Sequence, residues 1–101
     1  MQNLFNIETR EDMKRLEEHA YAALGCGWHL EDTGGGVFAI VYDRNDGGRI
    51  ELYETGYILR DADCETFFEA YGLDEEGIDA NTAEGLRRLA RGAFFDYGTM
   101  Q

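Results

Sequence analysis

Between Val37 and Tyr42 every residue is apolar, and all but Ala39 are β-branched or aromatic. A short apolar run of that kind reads as a strand buried on both faces or nearly so. Asn45, Asp46, Gly47 and Gly48 follow, a strong turn signal, and beyond it Ile50 and Leu52 alternate with Glu51 and Tyr53. Strand, tight turn and alternating strand predict an antiparallel hairpin at the centre of the chain. Everything else has to pack around that hairpin.

On its N-terminal side, Thr9 can cap a helix, and Asp12 three places on gives a weak capping box. Met13, Leu16, Ala20, Ala23 and Leu24 recur at helical spacing, which predicts a helix from Thr9 to about Leu24, ended by Gly25. Trp28 and Leu30 alternate with His29 and Glu31 in a short strand before Gly34, Gly35 and Gly36. After Leu52, Thr55 and Gly56 interrupt the returning strand, and Tyr57, Ile58 and Leu59 are expected to continue it past a bulge, with a short fourth strand as the other reading.

The composition changes after Arg60. Asp61 to Glu84 holds nine acidic residues and no basic one. Asp61 or Asp63 can cap a helix whose apolar face is Phe67, Phe68 and Tyr71, ended by Gly72. Leu73 to Ala80 reads as an acidic connector anchored by Leu73 and Ile78. Asn81 with Glu84 forms a second capping box, and Leu86, Leu89, Ala90, Ala93, Phe94 and Tyr97 carry a helix to Gly98. The expected fold is therefore a single α+β domain, 1–101, in the order α-β-β-β-α-α. About three antiparallel strands would be covered on one face by the helices.

Charge and residue usage exclude several classes of function. With 21 Asp and Glu against 9 Lys and Arg, the net charge of -12 repels nucleic-acid phosphates and anionic lipid. The chain contains no serine and one lysine, Lys14, so Ser-based hydrolysis and a P-loop are absent. Six Phe, six Tyr and one Trp argue for a folded chain despite the charge. No window approaches a membrane span and the start does not resemble a signal peptide, which predicts a cytoplasmic protein whose two cysteines are reduced thiols.

Three arrangements invite a chemical reading. Asp43, Asn45, Gly47, Gly48, Ile50 and Glu54 fall at the spacing of a calcium loop, but strand-forming flanks favour a plain hairpin turn. Cys26 and His29 have the spacing of half a zinc site, with His19 and Cys64 the remaining candidates, yet those two lack matched spacing. Cys26 beside a histidine could act as a nucleophile, but activation wants a positive neighbourhood and this chain is strongly negative. A Cys26–Cys64 disulfide is left open by the sequence. Neither a cofactor nor a metal is expected, and no catalytic residue is assigned.

The acidic run carries the functional expectation. Asp61, Asp63, Glu65, Glu69, Asp74, Glu75, Glu76 and Asp79, with Phe68, Tyr71 and Tyr57 as aromatic anchors, can present negative charge at intervals comparable with nucleic-acid phosphates. Such a face competes for the basic groove of a nucleic-acid-binding protein, with fast, salt-dependent association. In its length, its α+β character and this run, the chain resembles the small acidic phage- or mobile-element-encoded inhibitors of host defence, the anti-CRISPR and other DNA-mimic proteins. That resemblance implies a non-enzymatic inhibitor occupying the nucleic-acid-binding surface of an effector complex in the host cytoplasm. An immunity protein or antitoxin against a basic nuclease uses the same physics. A small enzyme, or an adaptor or oligomerising module with a patch at Phe94, Phe95 and Tyr97, would use different residues.

Overall fold

Thr9 opens the first helix as its sequence predicts. In the computed structural model, which describes residues 3–100, the Thr9 hydroxyl accepts from the Asp12 amide at 3.1 Å. The Asp12 carboxylate accepts in return from the Thr9 amide at 3.0 Å. Two amides that the helix cannot satisfy internally are thus paired. Helix α1 spans Arg10–Leu24 and stops where the Gly25 amide donates back to the Tyr21 carbonyl.

Five strands follow: β1 (Trp28–Gly34), β2 (Val37–Asp43), β3 (Arg49–Leu52), β4 (Tyr57–Arg60) and β5 (Thr66–Ala70). They form one sheet in chain order, every neighbour antiparallel, so β1 and β5 are its two edges. A 3₁₀ turn, Leu73–Glu76, leads to the second long helix, α2 (Ala83–Met100). The architecture is α+β, with five strands where about three were expected, and the order is α-β-β-β-β-β-α with the 3₁₀ turn before α2.

Two expected features give way to produce the extra strands. The segment after Asp61 is β5 rather than a helix capped by Asp61 or Asp63. Phe67 and Phe68 both pack against the core, because the register shifts between Leu59 and Arg60 and β5 fits an extra residue there. A bulge of this kind breaks the alternation that marks a strand and leaves neighbouring apolar residues that mimic a helical face. At Thr55 and Gly56 the chain does not continue past a bulge but reverses. The Tyr53 amide donates to the Gly56 carbonyl at 2.8 Å, and Leu52 faces Tyr57 across a new hairpin. Gly56 has to be glycine, since a Cβ there would stand 1.8 Å from the Ala70 carbonyl oxygen.

The start and end of α2 also move. Thr82, one residue beyond Asn81, accepts from the Gly85 amide at 3.0 Å, while Asn81 turns its side chain to the Leu4 amide. The helix runs through Gly98 to Met100.

Alternation sorts the sheet into two faces. Leu30, Ile40, Ile50, Leu52, Tyr57 and Leu59 point to the helices and meet Leu16 and Ala20 of α1 and Leu86, Leu89, Ala93 and Tyr97 of α2 in one apolar cluster. Leu73 and Ile78 anchor the acidic connector to that cluster, as expected. The other face carries no helix and is mostly polar: His29, Glu31, Asp43, Arg49, Glu51, Arg60 and Glu69, with Ala39, Val41 and Ile58 among them.

Candidate acidic interface

The residues expected to bind a partner lie along and around the edge strand β5, not on one helix. Asp61, Asp63 and Glu65 form the turn that enters it, Glu69 sits on it, Tyr71 follows it, and Asp74, Glu75, Glu76 and Asp79 lie beyond its far end. Five residues of strand separate the two ends by about 17 Å. The expected group is thus two acidic clusters joined by Glu69 and by Tyr71, which is 57% exposed, while the other expected anchors, Phe68 and Tyr57, turn to the core.

The turn geometry explains why this segment holds carboxylates. Asp61 Oδ1 accepts from the amides of Asp63 at 2.9 Å and Glu65 at 3.1 Å, closing the reversal from β4 to β5. Asp79 Oδ1 does the same for the Asn81 amide at 2.9 Å before α2. Short acidic side chains satisfy loop amides in this way. Asp63, Glu65, Asp74, Glu75 and Glu76 have no such duty and are exposed.

Among the described residues, no carboxylate from Asp61 to Glu84 is in a salt bridge. The cations that pair do so elsewhere. Arg15 holds Glu11 and Asp12, Arg44 holds Asp46, and Arg49 and Arg60 converge on the helix-free sheet face. Salt bridges among the described residues therefore gather at the start of α1, in the β2–β3 turn and on the helix-free sheet face, and none falls along β5 and its two ends.

The helix-free face contains the arrangement that sequence reading missed. Glu51 is 3% exposed although no helix covers it. Its carboxylate accepts from Arg60 Nε at 2.7 Å and from the Tyr53 hydroxyl at 2.8 Å, with Arg49 Nε at 3.5 Å. Arg49 reaches on to Glu31, which also meets His29 at 3.3 Å. The Arg49 hydrogen bond is the main cause that holds the Glu31 carboxyl below its usual range, and it outweighs the opposing effect of burial. Burial raises the Tyr53 phenol, and the adjacent Glu51 adds to that. Alternation alone placed Glu51 on the polar face. Its partner Arg60 emerges only from the β3–β4 pairing, in which Arg49 faces Arg60 and Glu51 faces Ile58.

The other sequence candidates are dispersed. Glu54 lies in the β3–β4 turn, at the opposite end of β3 from Asp43, so the calcium-like spacing does not converge on one point. His19 Nε2 pairs with the Ala80 carbonyl at 2.8 Å while His29 sits on the helix-free face. Cys26 and Cys64 are free, exposed and next to opposite edges of the sheet, about 19 Å apart at 4.8 Å per strand, beyond disulfide reach. No group of three or more His, Cys, Asp or Glu among the described residues is placed to hold a metal ion, and no helix among them is long and apolar enough to cross a membrane. Phe94 and Phe95 are exposed, but Tyr97 is fully buried, so the three do not make one patch.

The chain matches no protein-family model, no curated protein and no solved structure.

Proposed function

We propose that this protein is a non-enzymatic inhibitory binding protein of the anti-CRISPR, DNA-mimic kind, which sets the acidic edge of its sheet against the nucleic-acid-binding surface of a host-defence effector. The observation that supports this reading is the run of carboxylates from Asp61 to Glu84, none of which is in a salt bridge among the described residues, beside a sheet face on which Glu31, Asp43 and Glu51 share Arg49 and Arg60. A face of unpaired carboxylates loses little on meeting cations, because no internal ion pair has to be broken first. Two clusters about 17 Å apart reach across several phosphate positions of a nucleic acid, whose strands carry one charge per roughly 3.4 Å of axis. Tyr71 between them supplies the amphipathic aromatic that binding surfaces favour.

The test is a tagged pull-down from host lysate, nuclease-treated and washed at low and high salt, with the retained proteins identified by mass spectrometry. The reading expects a nucleic-acid-handling complex that added DNA or RNA displaces. Retention of one basic nuclease alone would move the reading to an immunity protein. Retention of nothing basic would leave the acidic edge as a solvated surface.

A further inference from the structure

The helix-free face holds, beside the Glu51 network and sharing Tyr53 with it, an apolar groove of about 290 Å³ lined by Thr33, Gly34, Val37, Tyr53, Ile58 and Tyr71. Val37 and Tyr71, both lining it, are 53% and 57% exposed. Glu69, on β5 directly opposite Ile58 and close to the Tyr71 phenol, is exposed and is in no salt bridge among the described residues. The protein's own nearby cations do not serve it: Arg60 is held by Glu51, and Arg49 by Glu31 and Glu51.

We infer that this groove docks an arginine side chain from a basic segment of a protein partner, with the guanidinium on Tyr71 and Glu69 and the aliphatic stem over Val37 and Ile58. The inference rests on the acidic-interface reading and names the partner chemistry at its centre. Arginine fits the chemistry because its planar cation stacks on an aromatic ring and pairs with a carboxylate at once, whereas lysine offers a strongly hydrated point charge. Its three-carbon stem matches an apolar floor. A second copy of this chain would bring the same carboxylates to the groove and be repelled by a net charge of -12. Burial first, and then the nearby Glu69 carboxylate, raise the Tyr71 phenol, which stays neutral and intact as a stacking surface.

The test titrates ¹⁵N-labelled protein with a hexa-arginine peptide and, separately, with hexalysine. The expected result is amide shifts at Val37, Ile58, Glu69 and Tyr71, and binding of hexa-arginine about fivefold tighter than of hexalysine. Tyr71→Ala should abolish that preference while leaving the remaining spectrum in place. Equal affinities with shifts confined to residues 61–65 and 74–79 would overturn the groove assignment and leave the acidic interface standing. No binding of either peptide would overturn both.

Discussion

Cys64 occupies in the β4–β5 turn the position that Gly47 occupies in the β2–β3 turn. In the first, the Asp61 amide donates to the Glu65 carbonyl at 2.9 Å and the Cys64 amide to the Asp61 carbonyl at 3.0 Å. In the second, the Arg44 amide donates to the Gly48 carbonyl at 2.8 Å and the Gly47 amide to the Arg44 carbonyl at 3.1 Å. The backbone is left-handed at both, with φ of 64° at Cys64 and 91° at Gly47. A side chain at such an angle is strained, and a glycine is not.

Cys64→Gly should therefore stabilise the protein, by about 0.5–1 kcal/mol once the greater freedom of the unfolded glycine is set against the relief of strain. Urea denaturation reads it as a higher midpoint with an unchanged slope. A lower midpoint would show that the thiol side chain contributes packing that its exposure conceals.

The same pair of turns shows which parts of the fold were legible in the sequence. Asn45-Asp46-Gly47-Gly48 announces a hairpin because a glycine, Gly47, stands at the left-handed position of the turn. Asp61-Ala62-Asp63-Cys64 builds the same hydrogen bonds without a glycine, and two aspartates before an apolar stretch look like a helix cap. The bulge at β5 then puts Phe67 and Phe68 on the core side together and removes the alternation that would have corrected the error. Helix α1 was legible because its cap and its apolar stripe agree. The acidic residues were visible as a run, but their split to the two ends of β5 depends on strand pairing, which spacing along a chain does not encode. The Glu51–Arg60 contact was hidden for the same reason.

Tyr97 ties the end of α2 to the sheet. It is fully buried, its hydroxyl donates to the Arg60 carbonyl at 3.1 Å, Arg44 lies 3.8 Å over its ring, and Phe67 meets it edge-on. Tyr97→Phe should cost about 1 kcal/mol for the lost hydrogen bond, and Tyr97→Ala about 3–5 kcal/mol. Gly48→Ala should approach the larger figure, since its Cβ would stand 1.7 Å from the Tyr97 hydroxyl oxygen. Thermal melts of the three variants give the order directly; a neutral Gly48→Ala would contradict this packing.

Glu51 is the anion on which Arg49 and Arg60 converge. Glu51→Ala should destabilise by about 1–3 kcal/mol, because two partly buried guanidinium groups lose their shared carboxylate. Glu51→Met, apolar and similar in length, leaves Arg60 without its carboxylate and Arg49 with Glu31 and Asp43 alone, and should be no milder. The double variant Glu51→Met with Arg60→Met should recover part of the loss, which a double-mutant cycle measures.

Stability should fall at both ends of the pH scale. Asp12, Asp46 and Glu31 have folded pKa values below their usual values of 3.8, 3.8 and 4.5. The causes are the Glu8 amide first for Asp12, the Gly48 amide for Asp46 and Arg49 for Glu31. Their contribution is therefore complete above the unfolded value and lost as pH drops through the folded one, so acid weakens the fold below about pH 4. At the other end, burial, and for Tyr57 the hydrogen bond to Asp96, raise the phenols of Tyr53, Tyr57 and Tyr97 above 10.0. Those phenols favour the fold while protonated, and their contribution fades as pH rises beyond about 10. Urea midpoints from pH 2.5 to 11 should be flat in the middle and decline at each end. Asp46→Asn should flatten the acid side.

The carboxylates around β5 offer the most direct test of the interface. Asp74→Asn, Glu75→Gln, Glu76→Gln and Asp79→Asn, combined in one variant, remove four charges without touching the core. Its affinity for the partner recovered in the pull-down would be measured against the parent protein at several salt concentrations, with circular dichroism confirming the fold. The proposal predicts binding weakened at least tenfold at low salt and a flatter dependence on salt, because fewer charges remain to be screened. Unchanged affinity and an unchanged salt slope, with the fold intact, would contradict it.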